Sequence, residues 1–212
     1  MRTIDLYKVI LLASILLTLS SASLAQDEYV RGAVKSPEGL LIVWNEPDNN
    51  FTLFVRATRV QQIPNKNLAF LLDDKYLQIV SALKTNFLTD SQKKQTLDDR
   101  SILSAHLEWE SNYLSEGLGE KLKIESEELK LTSGKSALLW SFVPPKSSGT
   151  VKKHFLLAVA NRQPVVVLNG ASTESVSEQT VRTFLLDTMS TLLLTEKPLS
   201  QADAAKMASK KN

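Results

Sequence analysis

Apolar positions along this chain follow three rhythms, and each predicts a different element. Residues 9–19, VILLASILLTL, are almost continuously apolar. Leu40 to Asn45, Phe51 to Val60, Leu68 to Leu72 and Tyr76 to Leu83 are short, β-branched or alternating runs, which predict strands. Pro47-Asp48-Asn49-Asn50 and Asp73-Asp74 are turn-forming and predict two hairpins. A short strand before Gly39 is also expected. From Ser91 to Glu116 the spacing becomes helical: Ile102, His106, Trp109 and Tyr113 share one stripe, with Leu103, Leu107 and Leu114 beside it. Gly117 and Gly119 end that helix.

Strand character then returns. Leu122 to Glu125 and Leu129 to Thr132 are short candidates, and Ser133-Gly134 turns the chain into Lys135 to Val143. His154 to Ala160 and Val165 to Leu168 are expected to pair across Asn161-Arg162-Gln163-Pro164. Val176 to Leu194 again has helical spacing, with Ser175 and Glu178 fitting a capping box. The runs at 137–143 and 165–168 are apolar on both sides, so both faces of the sheet centre need cover. The expected fold is α+β: an antiparallel β-sheet with one long helix on each face, an α/β/α sandwich.

Three segments follow. Residues 1–25 have the basic, apolar and small-residue order of a cleavable signal peptide, ending Ser23-Leu24-Ala25. An eleven-residue apolar run spans about 16 Å as a helix, roughly half a bilayer core, so no membrane span is expected after cleavage. Residues 26–196 form a single domain, and 197–212, rich in Lys, Ala and Ser, are expected to fray as a disordered tail. The expected location is periplasmic or extracellular, in a bacterium.

Charge excludes one class of partner. The net charge is +2, but four lysines and one aspartate lie in the last sixteen residues, and the body between leader and tail is slightly acidic. No clustered basic face is available for nucleic acid. The absence of cysteine removes disulfides, thiolate catalysis and cysteine-based metal sites.

The C-terminal third resembles the PsbP-like and DcrB-like group of exported domains, on the strands SALLWSF, KHFLLAVA and PVVVLNG and the terminal helix after them. The N-terminal half departs from that group, because Trp44 precedes Pro47 where an aromatic element following a proline would open the domain. The resemblance covers about 70 residues and implies a non-catalytic accessory or binding module, with no catalytic residues to transfer.

Each candidate chemistry has a plainer competitor. Ser133-Gly134-Lys135-Ser136 ends like a phosphate-binding loop, but Leu129 stands where a glycine is needed and a strand follows instead of a helix. His106 and Glu110, one helical turn apart, could reach one metal ion, yet His154 is the only other histidine. Glu125, Glu127 and Glu128 read as a solvated turn. Trp44, Trp109 and Trp140 could line a cavity, although core packing is the commoner use. Asn50-Phe51-Thr52 is a glycosylation sequon and also a turn sequence. No catalytic, cofactor-binding or metal residue is assigned. The expected function is an exported non-enzymatic binding or accessory module of the cell envelope, for a protein partner or a small apolar ligand. The alternative is a hydrolase whose acidic site assembles only in three dimensions.

Overall fold

The structure is a computed structural model and describes residues 31–47, 49–145, 149–161 and 164–209. The expected signal peptide and the last three residues of the expected tail lie outside them.

The described chain builds eleven strands and five helices. In order they are β1 (Arg31–Ser36), β2 (Gly39–Glu46), β3 (Asn49–Arg56), β4 (Val60–Gln62), β5 (Ala69–Leu72) and β6 (Lys75–Leu83). Three helices follow: α1 (Lys84–Phe87), α2 (Asp90–Lys93) and α3 (Asp99–Leu118). Then come β7 (Glu125–Lys130), β8 (Ser136–Phe142), β9 (Lys153–Ala160), β10 (Pro164–Ser172), α4 (Glu178–Ser190), β11 (Leu193–Thr195) and α5 (Gln201–Ser209).

The strands form two antiparallel sheets. One is four-stranded, in the order β1-β2-β3-β11, and the other is seven-stranded, in the order β4-β5-β6-β10-β9-β8-β7. This overturns the expected α/β/α sandwich of one sheet between two long helices. Only α3 is long. The opposite face of the large sheet is covered by the thirteen-residue α4 together with the second sheet. Both faces of the large sheet are covered, as its apolar central strands require. What supplies that cover differs, because the β2–β3 hairpin is apolar on both faces and builds a sheet of its own.

Three apolar layers follow. Between the sheets, Ile42, Phe51 and Leu53 of the small sheet pack with Leu77, Leu157 and Leu168 of the large one and with Leu185 of α4. On the far side of the large sheet, Trp140, Leu156, Ala158, Val165 and Val167 pack under Ile102 and Leu103 of α3 and Phe87 of α1. On the outer face of the small sheet, Leu41 and Val43 pack under Ala204 and Ala208 of α5. The tail expected to fray therefore contains a helix seated on the small sheet.

Local chemistry explains several boundaries. The expected helix from Ser91 is interrupted before Asp98. Thr89 caps α2 through a capping box with Gln92, and Asp98 starts a fresh helix by accepting the Ser101 N–H at 2.8 Å. Ser177, not Ser175, caps α4, accepting the Thr180 N–H at 3.1 Å. Residues 193–195, expected to continue that helix, pair with β3 instead. The expected β5–β6 hairpin is present. Asp73 and Asp74 both have positive φ, at 46° and 68°, as its tight turn requires. Gly170 lets α4 lie close on β10, because a Cβ there would stand 2.8 Å from Val181.

Candidate functional site

Residues expected in one turn are dispersed by the fold. Glu125, Glu127 and Glu128 lie on strand β7, not in a solvated loop. Glu125 bonds Lys153 at 2.6 Å, Glu127 bonds Arg182 of α4 at 2.6 Å, and Glu128 bonds Arg100 of α3 at 2.8 Å. Alternation sends the middle one to the α4 side and the last to the α3 side. Glu127 and Glu128 thus pin two helices to one edge strand, and Glu125 ties that strand to β9.

Ser133-Gly134-Lys135-Ser136 is a hairpin turn. Leu131 N–H donates to Lys135 C=O at 2.9 Å, Gly134 has φ of 78°, and β8 begins at Ser136. Asn50 of the sequon is buried in β3, opposite Asn45 on one side and Thr195 on the other. Its Oδ1 accepts the Glu46 N–H at 3.2 Å, so the folded chain withholds this side chain from modification.

The tryptophans separate. Trp44 lies in the core between the sheets, stacked on Phe51 at 5.4 Å, with Nε1 donating to Glu46 at 2.7 Å. Trp109 and Trp140 belong to the layer beneath α3. His106 joins them there. It is 1% exposed, edge-on to Phe87 at 5.2 Å and beside Trp109 at 5.9 Å. Burial alone lowers its pKa to about 4, so the ring is neutral. One turn on, burial raises the pKa of Glu110. His154 does not complete a ligand set with them. It stands on β9, stacked on Phe142 at 5.1 Å, its pKa lowered by burial and then by the charge of Lys66.

This layer holds a feature that periodicity does not reveal. Both ring nitrogens of His106, Nε1 of Trp140 and Oδ1 of Asn169 are buried without a hydrogen-bond partner. Each such atom costs ~1–3 kcal/mol, and folded proteins tolerate few. The strand register brings two of them near one another: Asn169 pairs with Leu156, and Leu156 pairs with Trp140.

Two clefts open elsewhere. One, of 270 Å³, lies between the first turns of α3 and β7–β8 and contains Arg100 and Glu128. A larger one, of 720 Å³, wraps the edge of β3 where β11 begins. Leu41, Phe54, Leu193 and Met207 give it an apolar wall, Thr188 and Thr191 supply hydroxyls, and Arg56 and Asp187 bring opposite charges. At this edge Thr191 Oγ1 accepts the Phe54 N–H at 2.8 Å and lies 2.9 Å from the Phe54 C=O. The small cleft has one carboxylate, Glu128, and the large one has one, Asp187, so neither supplies the acid–base pair that glycoside hydrolysis uses. Among the described residues, no three His, Asp or Glu side chains gather as a metal site. Nor is any helix there long and apolar enough to cross a membrane.

No family model and no curated relative matches the sequence. Among solved structures, the chain is similar to the solution structure of cyanobacterial PsbP from Synechocystis sp. PCC 6803. The TM-score is 0.48 and the identity 8%, over 76% of this chain and 94% of that one.

Proposed function

We propose that this chain is an exported, non-enzymatic accessory module that binds a segment of a partner protein in the 720 Å³ cleft at the β3 edge. The observation that carries this reading is the composition of that cleft. Aliphatic and aromatic walls meet a few polar groups at the junction of a sheet edge and two helices, and Leu193 at its mouth is 52% exposed. The side chains suit a short segment presenting aliphatic residues flanked by polar ones. Export rests on the order of the leader, residues 1–25.

Site-specific photocrosslinking in the native host tests it. A photoreactive residue at position 193 is expected to capture one discrete species, lost when Arg56→Glu is added. The same residue at position 118, also exposed but at the end of α3, is expected to capture none of it. Identical products from both positions, or none from 193, refute the reading.

A further inference from the structure

The unpartnered polar atoms beneath α3 belong to the seven-stranded sheet and its long helix, apart from the cleft at β3. Six buried side-chain atoms without a partner occur among the described residues, and four of them are those of His106, Trp140 and Asn169. Trp140 and Asn169 share the face of the sheet that α3 covers. Trp140 belongs to the apolar layer that faces α3, as do Val165 and Val167 of β10. Asn169 lies two residues after Val167 and so projects to the same side. His106 is on the buried stripe of α3 with Ile102 and Leu103, against the aromatic ring of Phe87.

We propose that this layer is a binding site for a small, flat, neutral molecule with an apolar body and both a hydrogen-bond donor and an acceptor, such as a primary amide or a phenol. The complementarity is specific. Trp140 Nε1 offers a donor, Asn169 Oδ1 an acceptor, and a neutral imidazole one of each. The flanking rings of Phe87, Trp109 and Trp140 match a planar body. A net charge would be desolvated there with no counter-ion, since the imidazole is neutral and burial favours the uncharged form of Glu110 as well.

Access is from the Trp109–Tyr113 side. The two rings stack at 6.1 Å, and Tyr113 is 64% exposed, so this pair forms a loose aromatic margin. Polar ties at the ends of α3 include Arg100 to Glu128, and Ser115 Oγ accepting the Leu122 N–H at 3.1 Å. Between them Ile102, Leu103 and His106 are buried, and Leu107, Trp109 and Leu114 pack against the same layer.

The test uses benzamide as the probe, with toluene and benzoate as comparisons, on isotope-labelled protein observed by NMR. Benzamide is expected to move the Trp140 indole N–H and His106 ring signals saturably, leaving the Trp44 indole unmoved. Toluene and benzoate are expected to bind at least tenfold more weakly. His106→Phe and, separately, Asn169→Leu are expected to weaken benzamide at least tenfold while both variants keep the native spectrum elsewhere. The proposal is overturned by no saturable shift at Trp140, equal affinity for benzoate, or unchanged affinity in whichever of the two variants folds. Ordered water bonded to the Trp140 N–H that benzamide does not displace also overturns it. The crosslink from position 193 is read independently, so either idea can fail alone.

Discussion

Asn45 and Leu199 bond each other twice: Asn45 Nδ2 donates to the Leu199 C=O at 2.8 Å, and the Leu199 N–H donates to Asn45 Oδ1 at 3.0 Å. The amide thereby imitates a neighbouring strand and ties the segment before α5 to β2. Asn45 is 1% exposed, so removing it strands buried backbone groups. Asn45→Ala is expected to cost about 2–3 kcal/mol in urea unfolding and to speed hydrogen exchange in α5 before the rest of the chain. Uniform exchange across both sheets would show that the amide does not specifically hold α5.

Gly39 begins β2 with φ of 155°, and a Cβ on it would lie directly on the Val55 carbonyl oxygen, a backbone atom unable to step aside. Gly39→Ala is therefore expected to lose roughly 3 kcal/mol or more, or to fail to accumulate as folded protein. A change in urea midpoint equivalent to less than about 1 kcal/mol would mean that the hairpin absorbs the clash.

Acid sensitivity follows from His106. Its folded pKa, about 4, lies below the ordinary 6.5, so the fold favours the uncharged ring. That contribution is complete above pH 6.5 and is lost as pH falls toward 4, for a loss of about 3 kcal/mol. His154 shifts in the same direction and adds to the loss. Glu110 acts oppositely: burial raises its pKa, so its ionisation costs stability as pH rises through its folded value, above 4.5. Unfolding free energies of wild type and His106→Phe across pH 4–7 should diverge, with the variant the flatter. Parallel curves would mean that this imidazole is solvated or partnered.

Helix α4 is held by packing more than by charge. Leu185 is completely buried between the sheets, whereas the Arg182–Glu127 pair, at 2.6 Å, remains partly exposed. Leu185→Ala is expected to cost ~3 kcal/mol or more, and Arg182→Ala less than ~1 kcal/mol, falling further in high salt. Comparable losses from the two would reverse that ranking.

Much of the strand layout could be read along the chain, because the β2–β3, β5–β6 and β9–β10 hairpins are local and their turns carry their own chemistry. The division into two sheets could not. It depends on which partner β3 finds on its outer edge, and that partner, Leu193–Thr195, carries leucines that fit the preceding helix equally well. The helix break at Asp98 was signalled by its capping side chain but masked by apolar spacing that continued through it. At the proposed site, the His106–Trp109–Tyr113 stripe was visible as a period. The alignment of Trp140 with Asn169 across the sheet rests on pairings between β8, β9 and β10, which no local pattern encodes.

The small sheet has a timing consequence. Its hairpin emerges well before β11, which must arrive to complete its edge, and the Asn45–Leu199 clamp spans 154 residues. Long closures of this sort are slow, because much of the chain's freedom is surrendered before the contact repays it. A ribosome must therefore release the chain through Leu199 before this half can lock. Until then Leu41, Val43 and their neighbours remain sticky, which gives a holding chaperone a defined segment to shield.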